Sequence, residues 1–144
     1  MNHLPSLLSL ALWLAGAGHF CVLGASFQVP VRLRWKEDLV KLTPFNRKLM
    51  WVYAGTTLVT IIAFGILTLF LHDDILRGDR AALALTAFIA VFWTGRILVD
   101  FTYFSHSDWP AGPQFVAGHF ILTALFSAMA STYWAVLIWK LCTG

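Results

Sequence analysis

The chain has 144 residues, of which 59% are hydrophobic and 12% charged, with a formal net charge of +3. An ordinary soluble domain carries about 25% charged residues, so too little polar surface is available here to coat a water-soluble core. Composition therefore excludes a soluble globular domain and points to an integral membrane protein.

The first apolar stretch covers residues 7–28. LAGAG at Leu14 to Gly18 imitates a small-residue cleavage site, but no Lys or Arg precedes it, and the apolar run continues through FCVLGA. An uncleaved first span is expected rather than a signal peptide. Cys21 lies in this span and Cys142 at the other end of the chain. With no CxxC spacing, both read as small buried hydrophobes.

Residues 30–48 form a basic connection. Six of the ten Lys and Arg residues fall here: Arg32, Arg34, Lys36, Lys41, Arg47 and Lys48. Trp35, Leu39 and Leu42 recur at helical spacing, and Glu37 stands one turn before Lys41. A short amphipathic helix on the membrane surface is predicted, with a Glu37–Lys41 pair. Thr43-Pro44 then reads as an N-cap and first-turn pair.

The second span covers about residues 49–71 and the third about 81–104. Between them HDDILRGDR, residues 72–80, reads as a tight, solvated polar turn. Three adjacent residues on one turn converge poorly on a single ion, so no metal site is expected at His72–Asp74. The loop SHSDWPAGPQ, residues 105–114, contains two prolines that stop a helix. It also holds His106 and Asp108, a secondary polar pair. The fourth span covers about residues 115–141.

Each span exceeds the roughly 20 residues that a hydrocarbon core requires. Short connections make sequential helices antiparallel. The expected architecture is all-α: an up-down-up-down four-helix bundle in one domain, with a short interfacial helix between spans 1 and 2. Basic residues in loop 30–48 outnumber those in the 72–80 turn, where only Arg77 and Arg80 occur. The positive-inside rule places loop 30–48 in the cytoplasm and both termini outside. The expected host is a bacterial inner membrane. Trp51, Trp109, Trp134 and Trp139 sit near span ends, as interfacial belts require.

Four ionisable residues fall inside the apolar stretches: His19, Arg96, Asp100 and His119. A charge at the bilayer centre costs about 2.5–3.5 kcal/mol on insertion scales, so such residues mark sites by default. Arg96 and Asp100 are four apart and share a face, which Phe92 and Tyr103 extend. Counting from residue 104 places Arg96 about 12 Å and Asp100 about 6 Å inside the span. His119 shares a stripe with Thr123, Ser127 and Ser131, and His19 one with Leu12, Gly16, Leu23 and Ser26. Small and hydroxyl residues favour close helix contact, so all four are expected to face the bundle interior. The alternative for Arg96–Asp100 is a structural pair with Arg96 reaching toward the headgroups. The alternative for the histidines is a hydrogen-bonded neutral imidazole.

Three functions fit this set. The first is a binding or accessory subunit that holds a lipid, quinone or other small ligand at His19, Arg96, Asp100 and His119. It would assemble with itself or within a larger membrane complex. The second is electron transfer by haem b with His19 and His119 as axial ligands, since axial histidine is the usual requirement. The third is a small oligomeric transporter or proton pathway. Sequences such as HExxH, GxSxG or a phosphate-binding loop do not occur. No catalytic residues are assigned, and a non-enzymatic role is expected. Membrane lipids are the expected partners, and nucleic acid is not.

Overall fold

The structure, a computed structural model, describes residues 3–105 and 110–143. His106 and Asp108, the secondary polar pair, lie outside the described residues, as does Trp109. The described chain folds into α1 (Leu4–Arg32), α2 (Trp35–Asp38), a 3₁₀ turn (Leu39–Lys41), α3 (Pro44–Phe70), α4 (His72–Arg77), α5 (Arg80–Thr102) and α6 (Pro113–Thr143). It contains no strand among the described residues. Helices α1, α3, α5 and α6 are each long and apolar enough to cross a membrane. Even α5, with 23 residues, is about 35 Å long against a hydrocarbon core of about 30 Å. The protein is all-α, a four-helix membrane bundle.

Local chemistry sets the helix ends. Thr43 caps α3 by accepting the Asn46 N–H, with Pro44 in the first turn. α1 runs through Pro30 to Arg32, beyond the expected end at residue 28. Proline removes only one N–H there, within the last turn, and the Leu33 N–H closes the end on the Val29 carbonyl at 2.9 Å. Arg34 then takes a left-handed conformation, φ +51°, which turns the chain into α2.

Two expectations about the connections change. Glu37 pairs with Arg34 rather than Lys41, and Lys41 pairs with Asp38 at 2.8 Å. The segment tightens to 3₁₀ geometry at Leu39, which brings residues three apart into register instead of four. The hydrogen bond from Lys41, with its charge, holds the Asp38 carboxyl below its ordinary range and raises Lys41 in return. Residues 72–80 are not a simple turn but contain a six-residue helix. Asp73 and Asp74 occupy its first turn, where carboxylates suit the positive end of the dipole. Gly78, at φ +91°, ends it by donating to the Asp74 and Ile75 carbonyls.

Sequential long helices run antiparallel. The principal contacts join α1 to α3, α5 to α6 and α1 to α6. Across the remaining side, Phe64 of α3 packs edge-on to Phe88 and Phe92 of α5. Lipid offers no hydrophobic drive between helices, so close packing must hold them. At the α1–α3 crossing, Gly65 lies against Phe20 and His19, where an added Cβ would come within 2.9 Å of the Phe20 ring and 3.1 Å of the His19 Cβ. Gly65→Leu is expected to destabilise the bundle by about 1–3 kcal/mol through overpacking. Gly55→Leu, where an added Cβ meets nothing within 4 Å, is the matched control. Equal unfolding midpoints for the two variants in detergent would refute the close-packing account.

Candidate functional site

The four intramembrane ionisable residues do not form one site. The structure divides them into a buried central node around His19 and a cluster around Asp100 near one end of the bundle.

His19 is fully buried. Its Nδ1 is 2.9 Å from the Ala15 carbonyl one turn earlier, which makes Nδ1 the protonated nitrogen. Its Nε2 accepts the indole N–H of Trp93 at 3.0 Å. Phe64, Trp93 and Tyr133 pack around the imidazole with ring centroids 5.6–6.0 Å away. Tyr133 in turn bonds Thr68 at 2.8 Å. This node joins all four long helices: His19 from α1, Phe64 and Thr68 from α3, Trp93 from α5 and Tyr133 from α6. Both imidazole nitrogens have partners, so the arrangement matches the hydrogen-bonded neutral imidazole.

Asp100 is also buried, but it works between two helices. Its Oδ2 accepts from the Thr123 hydroxyl at 3.0 Å and lies 3.3 Å from His119 Nε2, both on α6. Its Oδ1 receives Arg96 of its own helix at a looser 3.5 Å. The His119 Nε2 is also 3.5 Å from the Thr123 oxygen. Thr123 has one proton and gives it to Asp100, so its oxygen receives the Nε2–H that His119 shares with the carboxylate. Arg96 is 40% exposed and sits over the Phe126 ring at 5.5 Å. It therefore faces partly outward, and Tyr103 does not extend a buried stripe, since it is 79% exposed. Because α5 ends at Thr102, Arg96 lies about 9 Å and Asp100 about 3 Å from that end, both shallower than expected.

The cluster borders a cavity. Between the C-terminal half of α1 and the N-terminal half of α6 runs an open groove of about 550 Å³. Cys21, Leu122 and Leu125 are among its apolar walls, and His119 opens into it. Gln28, Arg32 and Gln114 line it nearer the helix ends. Closer to the bundle centre Gly18 meets Met129 and Leu125, so the two helices touch there and separate beyond. His119 is thus shared: it binds the Asp100 carboxylate on one side and lines the groove on the other. The set can hold a hydrogen-bonding group of a largely apolar ligand beside a fixed carboxylate–imidazole pair.

The same geometry tests haem b. Axial ligation by His19 needs an Nε2 lone pair facing space, but that lone pair takes the Trp93 N–H inside a ring of aromatic side chains. His119 points to Asp100 and the groove instead. The residues do not fit a haem held between these two histidines.

Trp93 and His72 take structural roles that the spans and loops do not announce. Trp93 carried one signal: a tryptophan away from the interfacial belts needs a partner for its N–H. His72, expected in a solvated turn, is 5% exposed, stacks on Trp13 at 4.6 Å and lies 3.2 Å from both the hydroxyl and the carbonyl of Ser9. The groove lining had no local signal, because it is made by two helices at opposite ends of the sequence. Against family models, curated proteins and solved structures, the chain gives no match.

Proposed function

We propose that this protein is a small membrane binding protein that holds an amphipathic ligand of the lipid or quinone class in the groove between α1 and α6. The observation that carries this reading is the position of His119. It lines the groove while its Nε2 lies 3.3 Å from Asp100 Oδ2. A ligand with an apolar body is suited to the leucine-rich walls, and its polar group to His119. Small-molecule sites combine these two features: mostly apolar walls with a few placed polar groups. His19, by contrast, is assigned a structural role. In this reading loop 30–48 faces the cytoplasm of a bacterial cell, as its basic residues favour, and the groove opens toward that side.

Gly118 provides a direct test. It lines the groove, and a Cβ added there meets nothing within 4 Å. Gly118→Trp is expected to fill the groove while leaving the fold intact. Mass spectrometry of the purified wild type under non-denaturing conditions should show a retained lipid or quinone, and the variant should lose at least about tenfold of it, as when about 1.4 kcal/mol of binding is removed. A wild type that retains no such molecule and binds no added lipid or quinone would overturn the reading.

A further inference from the structure

The apolar groove continues past the end of α1. A second recess, of about 640 Å³, adjoins it, and Arg32, Leu33 and Pro110 line both. The two differ in chemistry. The first is walled mainly by apolar side chains, among them Leu122, Leu125, Ile121 and Phe115, and the second by charged residues of α2 and its flanking turns. Three cations line the second recess: Arg32, Arg34 and Lys41. Two carboxylates accompany them, and both are already engaged: Glu37 with Arg34, and Asp38 with Lys41. Among the described residues, no carboxylate pairs with Arg32, whose guanidinium meets only the neutral Gln28 amide oxygen, at 3.4 Å. Among the described lining residues, one positive charge is therefore left over at the junction of an apolar groove and a polar recess.

We infer that the ligand is an anionic glycerophospholipid, with acyl chain along the α1–α6 groove and phosphate at Arg32. This rests on the groove reading above and names its ligand. Guanidinium groups match phosphate geometry through paired N–H donors. Arg32 is the last residue of α1, and a 29-residue apolar helix outruns the hydrocarbon core, so its end suits the headgroup region where a lipid carries its phosphate. A quinone would use the same walls but leave Arg32 without an anion.

The protein carries its own reporter. Cys21 lines the groove, and Cys142 lies at the opposite end of α6 as an internal reference; both are exposed. The full chain, purified in neutral detergent, is supplemented with phosphatidylglycerol, phosphatidylcholine, a neutral quinone analogue or soluble glycerol phosphate. The rate of maleimide labelling is then read at both cysteines. Phosphatidylglycerol is expected to slow Cys21 about fivefold more than phosphatidylcholine does, the effect of one basic residue on an anionic lipid, without changing Cys142. Arg32→Gln, a change at an exposed position, is expected to bring the two lipids level. Equal protection by both lipids in the wild type, or a preference that survives Arg32→Gln, overturns the anionic-lipid assignment while leaving the groove reading in place. Protection by glycerol phosphate alone also overturns it, since that is a free-phosphate site. If no lipid and no quinone analogue slows Cys21 in the wild type, the groove reading itself fails.

Discussion

Trp93→Ala is expected to destabilise the bundle by about 3–5 kcal/mol, the range for removing a buried tryptophan. Trp93 is 1% exposed, and its indole stacks on Phe126 at 4.8 Å, meets Phe92 edge-on and donates to His19. Truncation does two things at once. It opens a cavity among four helices that depend on close packing, and it leaves the buried His19 Nε2 lone pair without a donor. Trp93→Phe separates them. It keeps most of the ring volume and removes the N–H, so about 1–3 kcal/mol is expected from the unpaired imidazole. The measurement is unfolding free energy in mixed micelles or bicelles. A loss below about 1 kcal/mol for Trp93→Ala would contradict the role of the node, given the usual cost of core truncation.

The second large effect concerns Asp100. Removing one partner of a buried ion pair typically costs about 3–5 kcal/mol, because the other charge is stranded. Arg96 is 40% exposed and about 9 Å from its helix end, so it can extend toward the headgroups. Asp100→Ala is therefore expected to cost about 2 kcal/mol, below the fully buried range. Much of this loss comes from Thr123 and His119, which lose their acceptor across the α5–α6 contact. The double variant Arg96→Met, Asp100→Leu is expected to recover part of the loss, as paired replacement of buried charges by apolar residues often does. If the double variant is less stable than Asp100→Ala alone, Arg96 contributes through the Phe126 ring rather than through the carboxylate.

These two experiments distinguish the groups that sequence spacing could not. Arg96 and Asp100 share a face at four-residue spacing, so their pairing was legible from the chain. So was the expectation that an arginine near a helix end reaches outward. His19 and His119 looked alike in sequence: each lies in an apolar span on a stripe of small residues. Their environments diverge because α5 presents Trp93 to one and Asp100 to the other, about two turns apart along the same helix. Nothing within α1 or α6 specifies which α5 residue each histidine meets.

The chain's local pattern set the class, the number of spans, the antiparallel connections and the interfacial segment. These follow from hydropathy over about 20 residues, from prolines and glycines, and from charge along the chain, all of which are local. It also determined the Thr43 cap, because a cap uses residues within one turn. The remaining features arise from packing between helices. It made His19 a packed node instead of a ligand, turned His72 inward onto Trp13, joined Asp100 to α6, and opened a groove where α1 and α6 part. Each depends on the register and separation of helices distant in sequence. In a bilayer that register is set by side-chain fit, such as Gly65 against Phe20 and Gly18 against Met129, rather than by any pattern along a single helix.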